Sequence, residues 1–358
     1  MRRILTLAGN VLRSNLKDLS FPYKLTYIVT HRCQLRCTMC NIWQKNPHEE
    51  LSLDQIDEFF ARYNRFSWIN LSGGELVLRS DFSEIVGTIH KRCKNLFLLN
   101  FPTNGYRPDL IVPVVEKILA VHRFPRLLVS VSIDGPPDVH DRIRNVPGSW
   151  EKAVETFGLL RRYRGRRFNV FVGLTLQEAN SAFYDATVDA VRNRIGSFTH
   201  DEVHVNIAHR SSHYYGNQHV DHRTIARQSP SQLARMGKLR RTTFFDPVSL
   251  LERKYQKLAV TFAAAGRTPI PCQALSASLF MDPAGTVYPC STFDHPVGSV
   301  KDHSFDLSTL WDTEQRRDLR RRIRAGECPQ CWTPCEAYQS ILASLVPGIN
   351  RLPRASRD

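Results

Sequence analysis

Between residues 25 and 210, six short runs of aliphatic and β-branched residues recur, at 25–30, 68–72, 96–101, 127–133, 168–174 and 202–207. Between them the apolar positions shift to helical spacing over 53–63, 80–92, 109–121, 150–162 and 180–194. The first of these opens with Ser52 and Gln55 in capping-box spacing. Strands alternating with helices indicate repeated β-α units around a parallel sheet, and six of them predict an α/β fold, an open partial (β/α)6 barrel. Residues 211–268 break the rhythm with a His-, Arg-, Ser- and Gln-rich stretch and a helix over Pro247–Ala265. After Pro269 two short apolar runs flank the turn Pro283-Ala284-Gly285-Thr286, which predicts a hairpin in a small α+β unit. The expected organisation is an amphipathic N-terminal helix in 1–24, the barrel core over 25–230, a helical linker over 231–268 and a cysteine-bearing domain over 269–358.

The chain has 358 residues, 42% of them hydrophobic and 23% charged, which excludes a disordered tail and allows a large core. Lys plus Arg outnumber Asp plus Glu by 49 to 34, so anionic partners are electrostatically favoured. No stretch reaches the roughly 18 to 20 apolar residues a spanning helix needs, and the basic N-terminus lacks the apolar core and cleavage site of a signal peptide. The expected location is the cytoplasm, with peripheral membrane contact through the first helix as a further option. In a reducing compartment the nine cysteines read as metal or redox ligands rather than as disulfides.

Cys33, Cys37 and Cys40 follow the first strand as C-x3-C-x2-C. An iron-sulfur cubane is normally held by four thiolates, so three leave one iron open to a ligand. The alternatives are a zinc knuckle completed by His31 or His48, or three buried thiols. The loops after the next strands carry Ser72-Gly73-Gly74-Glu75, then Pro102-Thr103-Asn104-Gly105, then Ser130, Ser132 and Asp134 before Gly135. All of these belong to the C-terminal ends of barrel strands, where ligand sites gather.

Those motifs, with His140-Asp141-Arg142-Ile143-Arg144 downstream, resemble the radical S-adenosylmethionine (radical SAM) enzymes over about Lys24 to Cys335. One departure is Leu76, where the family commonly has proline. The resemblance implies that Cys33, Cys37 and Cys40 hold a [4Fe-4S] cluster whose fourth iron binds S-adenosylmethionine. It places Met39 near the adenine and Gly73, Gly74 and Glu75 at the methionine ammonium. Ser132, Asp134, Asn104 and Arg144 would bind ribose or carboxylate; an ordinary turn is the alternative for 134–137. The implied chemistry is reductive cleavage to a 5′-deoxyadenosyl radical and hydrogen abstraction from a peptide, small-molecule or lipid substrate, with a flavodoxin or ferredoxin as electron donor.

Cys272 and Cys290, then Cys328, Cys331 and Cys335, form a second group. Its C-x12-G-x4-C followed by C-x2-C resembles the SPASM and twitch extensions, which implies one auxiliary [4Fe-4S] cluster on Cys272, Cys290, Cys328 and Cys331, leaving Cys335 as an extra or substitute ligand. A four-cysteine structural zinc is the alternative. Cys93 lies in a helical run and reads as unliganded. Only 32 residues precede Cys33, too few for a fused leader-peptide-binding domain, so a peptide substrate would call for a separate partner. The helix over 2–19 reads first as a cover on the barrel bottom and second as an interfacial helix. The arginine runs at 161–167 and 316–324 read as solvated faces. Histidines 200, 204, 209, 213, 219 and 222 cluster around the sixth strand, where His204 has the register to face the barrel interior, and Tyr214 and Tyr215 follow. A zinc-bearing nucleic-acid-binding protein is the rival class, but it leaves Gly73-Gly74-Glu75 and the barrel rhythm unexplained, so nucleic acid is not an expected partner.

Overall fold

The computed structural model describes residues 2–45, 49–218, 230–239 and 247–346. A first helix, α1 (Arg2–Leu16), precedes six parallel strands: β1 (Lys24–Thr30), β2 (Trp68–Gly73), β3 (Leu98–Thr103), β4 (Arg126–Ser132), β5 (Phe168–Leu176) and β6 (Val203–Ile207). Each pairs with the next in register, and the sheet stays open beyond β6, as expected of a partial barrel. The crossovers are α2 (Leu53–Arg62), α3 (Phe82–Arg92), α4 (Pro108–Val121), α5 (Pro137–Arg144) with α6 (Ser149–Arg161), and α7 (Tyr184–Ile195). Helix α2 begins with the capping box read from the sequence: Ser52 Oγ accepts from Gln55 N, and Ser52 N donates to Gln55 Oε1.

Burial alternates along β3 and β4 for a reason that bears on the site. Leu99, Phe101, Leu127 and Val129 point outward into the layer between sheet and helices, where Phe101 meets Phe82 edge-on at 5.4 Å. Their alternates Asn100, Pro102, Leu128 and Ser130 point inward and stay half-buried, because the lumen is not filled by side chains. Truncating Phe101 to alanine would cost about 3–5 kcal/mol, so the wall that holds the lumen open is a strongly stabilised layer.

The structure departs from the sequence reading in three places. Asp134-Gly135-Pro136-Pro137 is a turn, but it starts a helix: Pro137 takes the first position of α5, where its missing N–H costs nothing, and Asn145 ends it in the left-handed region. In 211–268, expected to carry one helix, α8 (Pro230–Leu239) packs on α9 (Pro247–Ala265). The C-terminal hairpin, β7 (Ser278–Met281) with β8 (Thr286–Tyr288), is present but does not stand apart: β7 pairs in parallel with β1 from Lys24↔Ser278 to Tyr27↔Met281. All four β7 residues are buried, as an inner parallel strand requires. Strand β9 (Gly298–Ser299) closes a nine-stranded sheet, and α10 (Leu307–Trp311), α11 (Glu314–Ala325) and α12 (Pro334–Leu342) follow. Among the described residues no helix is long and apolar enough to cross a membrane.

Candidate functional site

The cysteine loop leaves the end of β1, and the loop after β2 is bonded onto it. Gly74 N donates to Thr30 O at 2.9 Å and Glu75 N to Arg32 O at 2.7 Å. A Cβ on Gly73 would stand 2.3 Å from Thr30 O, and one on Gly74 2.1 Å from Arg32 O. The paired glycines are therefore required for loop-on-loop contact as well as for lining a cavity. Glu75 is fully buried, and its carboxylate accepts from Thr103 Oγ1 at 2.9 and 3.0 Å and from Asn104 N at 2.7 Å. Burial pushes its pKa up to about 7. Three strand-end loops are thus tied in sequence, first to second by backbone bonds and second to third by a carboxylate.

Arg144, at the end of α5, reaches the cysteine loop. Its Nη1 lies 3.8 Å from Cys37 Sγ, and its Nη2 is 2.6 Å from Asp134 Oδ2. Asp134 is itself fixed by Thr175 N, which donates to Oδ1 at 2.8 Å, and its own backbone N–H donates to His140 Nδ1 at 3.0 Å. Burial holds His140 down near about 2, so it is a neutral acceptor there. Asn104 Nδ2 lies 4.0 Å from Cys33 Sγ. Met39 is positioned by Asn217, whose Nδ2 donates to Met39 O at 2.8 Å, and by Gln177 Nε2, 3.1 Å from Met39 Sδ. Burial pushes Cys33 up to about 11 and Cys40 up to about 12, and raises Cys37 against the pull of Arg144. Thiols so placed become thiolates when a cationic centre replaces their protons.

Cys33, Cys37, Met39, Cys40, Gly73, Gly74, Asn104, Ser132 and Arg144 all line one cavity of about 370 Å³ that continues into the barrel lumen. Glu75 and Asp134, expected at the ligand, sit behind this lining with no exposed surface. Each is turned onto a neighbour, Asn104 or Arg144, because its acceptor atoms already hold protein donors. Deeper in the lumen, Trp68 Nε1 donates to Asn100 Oδ1 at 2.6 Å and Asn100 Nδ2 to Asn70 Oδ1 at 2.5 Å. His204 faces inward as its register predicted and stacks on Phe171 at 4.0 Å. Tyr214 and Tyr215, 4.3 Å apart, lie near both Cys40 and Cys335, and Tyr214 Oη meets Ser72 Oγ at 2.9 Å. Gln177 and Asn217 carry no spacing signal that singles them out, whereas His140 opens the 140–144 run noted in the sequence. His48, His219 and His222 lie outside the described residues.

The second cysteine group is assembled from three segments: Cys272 before β7, Cys290 after β8, and Cys328 and Cys331 after α11. Cys272, Cys290 and Cys331 are buried deeply enough that desolvation is the largest influence on each, and each is also raised by the charge of neighbouring thiols in the group. Polar groups face their sulfurs: Ala274 N lies 3.5 Å from Cys272 Sγ and Gln330 Nε2 3.4 Å from Cys328 Sγ as donors, and Thr292 Oγ1 shares a hydrogen bond with Cys290 Sγ at 3.3 Å. Arg320 braces the strap by donating to Cys272 O and Ala274 O. Cys335 is set apart from these four. Its thiol lines the lumen, 3.6 Å from Asn70 Nδ2, with Lys24 and Glu336 as its charged neighbours. Cys93 is buried at the end of α3.

Among the described residues no three His, Cys, Asp or Glu side chains converge on a single-ion cage. The fit of a cluster therefore rests on donor chemistry: three thiols facing a cavity at one place, four thiols with N–H and O–H donors at the other. Both sets suit iron-sulfur ligation, which uses thiolates tuned by such donors.

Comparison with known proteins agrees. Residues 27–181 match the model of the radical SAM superfamily, and residues 272–335 match the SPASM iron-sulfur cluster-binding domain. The chain is 27% identical over 335 residues to the mycofactocin maturase MftC of Mycolicibacterium smegmatis, covering 88% of this chain and 76% of that one. It is 26% identical over 181 residues to the sporulation killing factor maturation protein SkfB of Bacillus subtilis, covering 49% of this chain and 41% of that one. Its fold resembles that of Streptococcus suis SuiB bound to S-adenosylmethionine, with a TM-score of 0.57 at 14% identity over 87% of this chain and 70% of that one. It also resembles anSMEcpe with bound AdoMet and a peptide, with a TM-score of 0.57 at 14% identity over 83% of this chain and 82% of that one. The zinc and nucleic-acid alternative gains no support from these matches. The chain belongs to the radical SAM superfamily: it is a radical SAM enzyme with a C-terminal SPASM domain, whose cofactors are S-adenosylmethionine, a reactive [4Fe-4S] cluster and an auxiliary one.

Proposed function

We propose that Cys33, Cys37 and Cys40 hold the reactive cluster, that Cys272, Cys290, Cys328 and Cys331 hold the auxiliary one, and that the substrate is a peptide. The carrying observation is that the first three thiols share a single cavity with Met39, Gly73, Gly74, Asn104, Ser132 and Arg144, and that this cavity opens into the lumen. When bound and supplied with an electron by an external flavodoxin- or ferredoxin-type donor, the reactive cluster and S-adenosylmethionine supply a 5′-deoxyadenosyl radical.

The chain's own residues bind and orient. Asp134, itself fixed by Thr175 N, holds Arg144 at the cavity wall, where its guanidinium suits a carboxylate. Glu75 fixes the turn that presents Asn104, and Gln177 and Asn217 fix Met39. Phe171, Trp68 and Leu128 keep much of the lumen wall apolar, which helps to exclude water.

A peptide is favoured for two reasons. MftC and SkfB are named as maturation proteins, and SuiB has been crystallised with a precursor peptide. In this chain the lumen presents the carboxamides of Asn70, Asn100 and Asn206 beside the Phe171–His204 stack, a lining that matches backbone amides and an uncharged side chain. The test is anaerobic reconstitution followed by peptide and metabolite profiling of a strain lacking the protein. Release of 5′-deoxyadenosine, with an unmodified peptide accumulating in that strain, is expected. Full iron loading without S-adenosylmethionine cleavage would overturn the site assignment, and accumulation of a small metabolite alone would overturn the peptide.

A further inference from the structure

The end of the barrel opposite the cysteine loop carries two features that the catalytic reading leaves unused. Helix α1 lies across that end. Arg3 Nε donates to Lys94 O at 2.9 Å, Asn10 Nδ2 to Ser67 Oγ at 3.4 Å just before β2, and Asn15 Nδ2 to Leu342 O at 2.7 Å. Leu7 and Val11 pack inward on Leu19, Tyr23 and Ala277. Its inner side also takes the polar Ser14 and Asn15, both buried, while leucines face out: Leu5 is 61% exposed, Leu12 59% and Leu16 57%. Seven and four residues apart, these three form one stripe. Leu345, 59% exposed, is bonded to Asn15 Oδ1 through its backbone N–H.

Beside the start of α1, a groove of about 1190 Å³ opens at the N-terminal ends of β3, β4 and β5. Phe97, Phe124 and Phe168 form part of its floor, and Arg126, Arg166 and Arg167 line it together with Arg2 and Arg3. No aspartate or glutamate lines it among the described residues. Arg161 and Arg164, from the same arginine run, pair with Glu202. Arg2, Arg126, Arg166 and Arg167 enter no ion pair among the described residues.

We propose that this face docks on an anionic phospholipid bilayer, with the leucine stripe entering the interface and the arginines meeting lipid phosphates. The charge and the apolar stripe together select that occupant. Nucleic acid would answer to the arginines but leave the leucines in water, whereas a bilayer with anionic headgroups answers to both. The cavity mouth sits at the other end of the strands, so the docked enzyme turns its mouth away from the lipid and takes its substrate from the aqueous side. This surface stands independently of the peptide assignment.

The test is co-sedimentation of the anaerobic holoenzyme with vesicles of phosphatidylglycerol mixed with phosphatidylcholine, against phosphatidylcholine alone. Binding to the mixed vesicles that weakens with added salt is expected. Arg126→Ala/Arg166→Ala/Arg167→Ala should weaken it by roughly fivefold per arginine, on the order of a hundredfold in all. Leu5→Glu/Leu12→Glu/Leu16→Glu should abolish it while S-adenosylmethionine cleavage in solution is retained, which shows that the variant is folded. Equal binding to both vesicles, an unchanged arginine variant, or no vesicle binding with leucine-dependent self-association on a sizing column would each overturn the proposal.

Discussion

The mouth and the C-terminal domain both gather thiols, but their access to the barrel cavity differs. At the mouth three thiols face a cavity whose lining also carries Arg144 beside Cys37 and Asn104 beside Cys33, while local backbone N–H groups of Leu35 and Ile42 meet Cys33 and Cys40. In the C-terminal domain four thiols meet short local contacts from Ala274, Gln330 and Thr292, and none of the four lines that cavity. A site short of one ligand and open to a cavity can bind a reactant, while a site with four ligands and no opening can hold or pass electrons and stiffen a domain. The same element thus gains reactivity or loses it according to coordination and access.

The contrast breaks most completely if the mouth is emptied. Cys33→Ala/Cys37→Ala/Cys40→Ala should abolish 5′-deoxyadenosine release and leave about four of roughly eight irons per chain, read by iron assay and chromatography. Cys272→Ala/Cys331→Ala should do the reverse in iron, keeping the mouth cluster while losing the other, with a lowered melting temperature because metal binding there is also folding energy. If both variants lose all iron, the two sites are not independent. Arg144→Met removes a charged donor worth about 1.5–3 kcal/mol, so the apparent affinity for S-adenosylmethionine should fall roughly ten- to a hundredfold. It also leaves Asp134 buried and unpaired, so Arg144→Met with Asp134→Asn should regain stability but not affinity.

A smaller effect concerns Glu336, buried near the C-terminal thiols and bonded to Ser278 and Gln339. Burial raises its pKa from 4.5 to about 7. The folded state therefore keeps a proton that the unfolded chain releases, so stability is fullest below the lower value and falls as pH rises through the higher one. At about 1.4 kcal/mol per pKa unit, Glu336→Gln should remove a decline of up to about 3 kcal/mol, seen in denaturation midpoints against pH. Smallest of all, Cys335→Ser should leave the iron content unchanged, since its thiol faces Asn70 and the lumen; loss of iron would join Cys335 to the ligand set.

The strands and the cysteine loop were legible because each rests on local order: the periods of two and 3.6, and ligands within eight residues of one another. What stands behind the lining was not. Glu75 reads as a carboxylate for a cation and Asp134, through the resemblance, as a ligand contact; that both lie buried, held by Asn104 N and Thr175 N, depends on donors the fold brings from other strands. Gln177 and Asn217 hold Met39 from 138 and 178 residues away and leave no trace in spacing. The helix α5 was hidden by its own prolines, which read equally as a turn and as a helix start. The pairing of β7 with β1 was hidden because a buried apolar run of four residues fits a hairpin arm and an inner strand alike.

That β1–β7 pairing has a kinetic consequence. Cys33 follows β1 and Cys290 follows β8, so both thiol groups hang from one continuous hydrogen-bonded lattice with only β7 between their strands. A hinge between the domains would have to break that lattice, so the strand pairing opposes a change in their separation. Because electron tunnelling falls steeply with distance, a lattice that resists stretching favours a steady rate for any electron passed between the two thiol groups.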